Sequence, residues 1–465
     1  MLSSEKRAQF IFIIIALALA FFLQLAIMKF PPHYLVLFLL TFMILFIAFV
    51  KTNLALFILI FTMLLSPEFG LGGIPGRSVV FRFDDFFILM LFFGWLAKMA
   101  VNKELGFLKV TPLNKPILAY ITVCIISSVF GIMSGTTDMK YSLFYNLKYI
   151  EYFLLFFMVS NNITEKRQVK IFIYTLLFVS LIVSIFAAHV SLIQGMRATA
   201  PFEGDAGEPN TLAGYLIIMI GLCLGIFLYT NKFKTRLIIG GLGAFMTVPF
   251  LYTLSRAGWL GFGVMFIAFL LLTKRNKAFL VLIVFLVLIN VPAISKRLPQ
   301  VVSQRYASTF KGGDTFKIGG RSITIDESAS IRLRTWKKSL QMWSERPILG
   351  RGVPGGGAIS DVQYTRVLRE VGIVGFGAFL WIISGLYRVG WRSYTEADTD
   401  PFFQGISLGF VCSLSGLLAM GVAAEFFIII RIMEPFWFLA AIIVTLPEIK
   451  EEEDKNLNPE GQLAH

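Results

Sequence analysis

Apolar residues along this chain are gathered into long uninterrupted blocks, not spread at the three-to-four spacing of an amphipathic surface helix. The blocks lie near 10–28, 34–50, 54–67, 85–101, 116–133, 146–160, 170–192, 210–230, 237–254, 258–273, 277–293, 373–388, 402–422 and 432–447. A helix needs roughly 17–25 apolar residues to cross the hydrocarbon of a bilayer. Most blocks meet that length, and 54–67, 146–160 and 432–447 are short or crowded. The pattern predicts an all-α polytopic membrane protein with twelve to fourteen transmembrane helices. The first block is long for a signal peptide and lacks a clean small-residue cleavage site, so it reads as a retained anchor.

The polar intervals divide the chain further. Residues 1–293 hold the first eleven predicted spans, 294–372 form one large connecting segment, 373–447 hold the last spans, and 448–465 read as a disordered polar tail. Lys and Arg placement orients the stack. With the N-terminus cytoplasmic, 18 Lys/Arg fall in cytoplasmic connections before the tail, against 8 in the short loops opposite. The 294–372 segment then faces outward, and an even number of spans leaves both termini inside.

Composition agrees with this class. Hydrophobic residues make up 57%, charged residues only 15%, and mean hydropathy is +0.76. Soluble chains carry about a quarter charged residues. Cys124, Cys223 and Cys412 all fall inside predicted spans and read as small apolar residues.

Charge is unevenly spread. The 294–372 segment carries 14 Lys/Arg against 6 Asp/Glu, more than half of the chain's formal +14. Facing away from the cytoplasm, it suits an anionic lipid or a lipid-linked phosphate better than nucleic acid. Within it, SASIRLRTWKKSLQMW predicts a helix capped by Ser328 or Ser330 and ending before Pro347, with Arg332, Trp336, Ser339 and Trp343 on one face. GRGVPGGG at 350–357 lacks the Gly-Lys-Ser/Thr ending of a phosphate-binding P-loop. It reads either as a flexible connector or as a lid whose backbone N–H groups, those of Gly350 and Gly352 among them, could meet phosphate.

On the same outward side lie Arg197, the stretch Pro209-Asn210-Thr211 opening a span, and Arg256 in the short turn of TLSRAGWLGF. Asn210 and Thr211 read as helix caps, and helix N-termini attract anions. Asp361 and Glu370, nine residues apart, point opposite ways on one helix, so they do not read as a paired acid/base site. No carboxylate was expected deep inside a span. An ion-coupled transporter usually keeps acids near the midplane, so a surface enzyme ranks above a flippase for lipid-linked oligosaccharide.

Five stretches, in order, resemble the O-antigen ligase and polysaccharide polymerase superfamily: GEPNTLAGYL, TLSRAGWLGF, SASIRLRTW, RPILGRG and YTRVLREVGIVG. The resemblance covers roughly 195–385. It implies a fold similar to the GT-C class with a partly helical periplasmic loop, in the bacterial inner membrane, and an active site facing the periplasm. It also implies an inverting glycosyltransferase, with neither metal nor cofactor, that takes a glycan from undecaprenyl diphosphate. Its partners would be that lipid-linked oligosaccharide, a glycan or lipid acceptor and membrane lipids, with no nucleic acid. By position, Arg256 and Arg332 would grip the diphosphate and Asp361 would take the acceptor proton, with Glu370 as the alternative base. Arg197, Asn210, Tyr364, Arg366, Gly350 and Gly352 would contact substrate. Ligases of the family carry a His-Asn pair where this chain has Asp361-Val362. That departure favours polymerisation of lipid-linked repeat units of a surface polysaccharide over ligation to lipid A–core.

Overall fold

The computed structural model describes residues 43–44, 46–74, 77–101, 109–201, 203, 207–282, 315–318, 321–324, 327–355, 362–396 and 400–457. In chain order these form α1 (Thr52–Leu65), β1 (Glu68–Ile74), β2 (Arg77–Arg82), α2 (Phe83–Val101), α3 (Asn114–Met133), α4 (Met139–Asn162), α5 (Lys166–Leu192), α6 (Pro209–Tyr229), α7 (Phe233–Tyr252) and α8 (Arg256–Leu272). After them come β3 (Thr315–Ile318), β4 (Arg321–Thr324), α9 (Glu327–Ser344), α10 (Gln363–Glu396), α11 (Pro401–Gly421) and α12 (Ile430–Leu457).

The fold is an all-α polytopic bundle, as the apolar blocks require: in hydrocarbon every backbone N–H and C=O must be satisfied within its own segment. Seven described helices are long and apolar enough to cross a membrane (α3, α5, α6, α7, α10, α11 and α12), and α1 and α8 are shorter apolar helices. The blocks 10–28, 34–50 and 277–293 lie wholly or partly outside the described residues. The connecting segments add two antiparallel hairpins, β1–β2 with an irregularity between Gly70 and Gly73, and β3–β4. α12 continues to Leu457, into the expected polar tail.

The core sits around α6, α11 and α12, which are covered on nearly all sides, whereas α7 and α3 keep most of their surface outward. Glycine sets the tightest contacts. A Cβ on Gly225 would stand 2.1 Å from the Gly405 carbonyl oxygen, one on Gly409 2.7 Å from that of Gly221, and one on Gly416 2.9 Å from that of Gly261. Small residues let helix backbones approach closely where lipid supplies no hydrophobic drive to association. Ser413 adds a hydrogen bond to the Ile217 carbonyl at 3.3 Å.

α10 is broken near its start. Gly372 has φ 65° and ψ −166°, a region open essentially to glycine alone. The break frees the carbonyls of Arg369 and Glu370 and the amides of Ile373 and Val374, which an unbroken helix would pair with each other. The segment 347–352 threads into the gap and replaces those bonds. Arg351 and Gly352 donate to Arg369 and Glu370, both at 2.9 Å, while Ile373 and Val374 donate to Pro347 and Ile348 at 2.8 and 3.3 Å. α3 clasps the thread: the Ser127 hydroxyl bonds the carbonyls of Leu349 and Glu370, and Thr136 bonds that of Arg351.

Candidate functional site

The turn between α7 and α8 gathers three of the outward polar features. Ser255 caps α8, accepting from the Gly258 amide at 3.1 Å and donating to Asn210 Oδ1 at 2.7 Å. Leu254, just before it, takes a positive φ of 53° to make the corner. Arg197 Nε and Nη2 donate to the Thr253 carbonyl at 3.0 and 2.7 Å, and the Ala198 amide donates to Tyr252 at 3.0 Å. Arg256 is the first residue of α8 and is half-buried.

Asn210 lies in the first turn of α6, so the N-termini of α6 and α8 meet at this knot. The cap position of α6 is Glu208, not Asn210 or Thr211. Its carboxylate accepts from Thr211 at 2.7 Å, while Asn210 is turned to Ser255. A cation at a helix N-terminus opposes the helix dipole. Arg256 at the N-terminus of α8, with Arg197 on the same turn, therefore builds a positive potential there, while Glu208 already answers the dipole of α6.

Beneath the knot, a crevice of about 360 Å³ opens between α6, α7 and α8, lined among others by Ile220, Phe227, Gly243, Thr247, Phe262 and Phe266. Its walls are almost wholly apolar. At 1.5 Å per residue, Phe262 stands about 9 Å down α8 from Arg256, and Phe227 about 25 Å down α6 from Asn210.

A second polar centre surrounds the break in α10. Arg366 donates to Glu370 at 2.6 Å and to Glu425 at 2.5 Å, lies 6.0 Å from the Tyr145 ring centre, and is closed off from solvent. Two carboxylates thus hold the guanidinium, joining α10 to the segment between α11 and α12. Arg369 donates to the Pro354 carbonyl and Tyr364 to that of Leu418. The amides of Gly350 and Gly352 are engaged by Arg346 and Glu370; they are committed within the protein and are not turned toward solvent.

The remaining expected site residues are placed as follows. Arg332 is half-buried on α9, which packs along α10. α9 begins at Glu327, so Ser328 and Ser330 lie in its first turn. Asp361 falls outside the described residues. The structure thus brings Arg197, Asn210 and Arg256 together, and separately ties Arg366 and Glu370 to the threaded segment.

Three features escaped the sequence reading. Glu203, in the loop that carries Arg197, accepts from the Ala200 and Glu208 amides at 3.1 and 2.9 Å. Burial pushes its carboxyl up to about 8, against the pull of those amides and of Arg431. Arg431 itself is buried, donating to the carbonyls of Leu64, Pro201 and Ser66. The expectation that spans hold no deep carboxylates is overturned: Asp84, Asp85, Glu151 and Glu434 are all buried at the start of α2, on α4 and on α12. The sequence signal was available, since Glu151 and Glu434 stand inside apolar blocks. Lys148 and Arg82 offset part of their cost, and Lys148 reaches Asp85 at 2.5 Å and Glu151 at 3.2 Å.

A comparison with curated proteins returned no match. Residues 241–380 match the family model described as O-Antigen ligase. That match runs from within α7 to the middle of α10, taking in Arg256, Arg332 and the Glu370-Val371-Gly372 break, so this part of the chain is similar to that family.

Proposed function

We propose that this multi-pass membrane protein is a glycosyltransferase that moves a glycan from undecaprenyl diphosphate to an acceptor hydroxyl on the periplasmic side of the inner membrane, polymerising lipid-linked repeat units. The observation that carries the reading is the knot of Arg197, Asn210 and Ser255-Arg256, where two helix N-termini and two arginines share one place above an apolar crevice. In this reading the diphosphate sits at the knot and the polyprenyl chain descends into the crevice. Arg332 joins Arg256 at the phosphates.

The acceptor oxygen attacks the anomeric carbon, the bond from that carbon to the diphosphate oxygen breaks, and the electron pair leaves with the diphosphate. Arginine suits this charge because its planar fork binds phosphate oxygens bidentately and stays protonated. The proton of the attacking hydroxyl passes to a carboxylate, a step worth about 10²–10⁴ in rate. Asp361 is the first choice. Glu370 is already held by Arg366, so it is less free to meet an acceptor hydroxyl. The segment 294–372 contains no histidine, and this supports polymerisation over ligation.

The test is reconstitution of the purified chain with undecaprenyl-diphosphate oligosaccharide. Carrier-linked ladders support the polymerase, acceptor-linked product the ligase, and translocation without bond formation a flippase. Arg256→Ala and Arg332→Ala should each lower the rate about 10²–10³-fold with normal insertion. Wild-type chain lengths in either variant refute the assignment.

A further inference from the structure

A second charged centre, built on other helices than the knot, is left short of positive charge. Asp84 and Asp85 open α2, Glu151 lies on α4 and Glu434 in the first turns of α12, and every one of the four is at least nine-tenths buried. Among the described residues, two cations stand in ion-pair reach of them. Lys148 pairs with Asp85 and Glu151, and Arg82 lies 3.6 Å from Asp84. Arg431, one turn before Glu434, is engaged by three backbone carbonyls and faces Glu203. Four carboxylates against two cations would leave two negative charges if all were ionised, and in a low-dielectric interior an uncompensated ion costs several kcal/mol.

The oxygen inventory sharpens this. Asp84 Oδ1 accepts from Ser66 and Asp85 Oδ2 from the Arg82 amide. Asp84 Oδ2, Glu151 Oε1 and both oxygens of Glu434 are buried with no hydrogen-bond donor. Glu434 is wholly enclosed, and among the described residues none donates to its carboxylate. One oxygen each from Asp84, Asp85 and Glu434 lie within 4.8 Å of one another. Calcium binds oxygen at about 2.3–2.6 Å, so two of its ligands stand at most about 5 Å apart, whereas magnesium, at about 2.0–2.1 Å, demands a tighter octahedral cage.

We propose that Asp84, Asp85 and Glu434 bind one divalent cation, calcium by size, with Lys148 holding Asp85 and Glu151 beside it. An all-oxygen carboxylate set selects hard cations over transition metals. The ion ties α2 to α12 next to the β1–β2 hairpin, and its role is to hold the bundle together, not to enter group transfer.

The test is equilibrium binding of radioactive calcium to the purified full-length chain in detergent, with thermal unfolding measured with and without chelator. Wild type should take up about one calcium per chain, displaced by magnesium only at far higher concentration. Glu434→Gln and Asp84→Asn should bind at least tenfold more weakly. Chelation should lower the wild-type Tm by about 3 °C or more and leave that of Glu434→Gln unchanged. Arg256→Ala should bind calcium as wild type does, so failure of the transferase reading leaves this result intact. Wild type that binds no calcium, or that binds it no better than Glu434→Gln, overturns the proposal. If Glu434→Gln does not fold, the wild-type uptake and its chelator shift decide alone.

Discussion

Replacing Gly372 by alanine tests the threaded break in α10. A Cβ there would stand 2.1 Å from the Ile348 oxygen, 2.4 Å from its carbonyl carbon and 2.6 Å from the Leu349 nitrogen, all backbone atoms. No side-chain rotation relieves that clash, so the thread itself must move by about an ångström. The backbone conformation adds its own cost, about 1–3 kcal/mol for a residue with a side chain. Four hydrogen bonds join the thread to the two sides of the break. Losing two of them at about 1 kcal/mol each brings the total to about 3–5 kcal/mol. Gly377, on the same helix, is the control, because a Cβ there meets nothing within 4 Å. Thermal unfolding of both variants in detergent, alongside transfer activity, gives the comparison. Gly372→Ala should lose at least about 5 °C and most of its activity, while Gly377→Ala matches wild type. A Gly372→Ala protein with wild-type Tm and activity would show that the thread tolerates displacement and that the reasoning is wrong.

The other expectations concern charge and the crevice. Glu203 ionises near 8 in the fold against about 4.5 when unfolded, so its contribution is full below pH 4.5 and fades as pH rises toward 8. Glu203→Gln should flatten the fall in Tm between pH 5 and 8, a slope of at most about 1.4 kcal/mol per pH unit; an unchanged slope refutes the burial account. Arg366→Ala removes the guanidinium that bridges Glu370 and Glu425 and should destabilise by about 3–5 kcal/mol, read as lost monodisperse protein. Gly243 borders the crevice with Cys223 Cβ 3.1 Å from where a Cβ would sit. Gly243→Leu should cut activity about tenfold or more on a full-length undecaprenyl donor, a loss of about 1.4 kcal/mol, and spare a short-chain isoprenoid donor; equal losses on both would count against the crevice as the chain's site.

The bundle was legible because a bilayer demands contiguous apolar stretches, and nothing else in a sequence looks like them. α9 was legible through its polar helix between a serine-rich start and Pro347. The knot was only half legible. TLSRAGWLGF and GEPNTLAGYL are conspicuous as polar breaks, but the bond from Ser255 to Asn210 joins residues 45 apart in the chain. The Arg366–Glu370 pair carries the i, i+4 spacing of a helical ion pair, yet Glu425 reaches it only through the packing of α10 against α11. The break at Gly372 left no local mark, since a glycine within an apolar helix usually means close packing. Its conformation is dictated by a segment that arrives twenty residues earlier. Glu151 and Glu434 are inconspicuous because single acids barely dent the hydropathy of a block; the i, i+3 spacing of Lys148 and Glu151 marks one ion pair, whereas Asp85 joins it only through packing.

The glycine faces of α6 and α11 carry one further consequence. Where Gly221 and Gly225 meet Gly409 and Gly405, a Cβ on any of the four would stand 2.0–2.7 Å from an atom of the facing helix, so neither helix accepts a larger residue here without being pushed away. Under the proposed function, a donor carried in the leaflet would then approach past α7, whose flank is the least covered of the seven described membrane-length helices, and not through this seam.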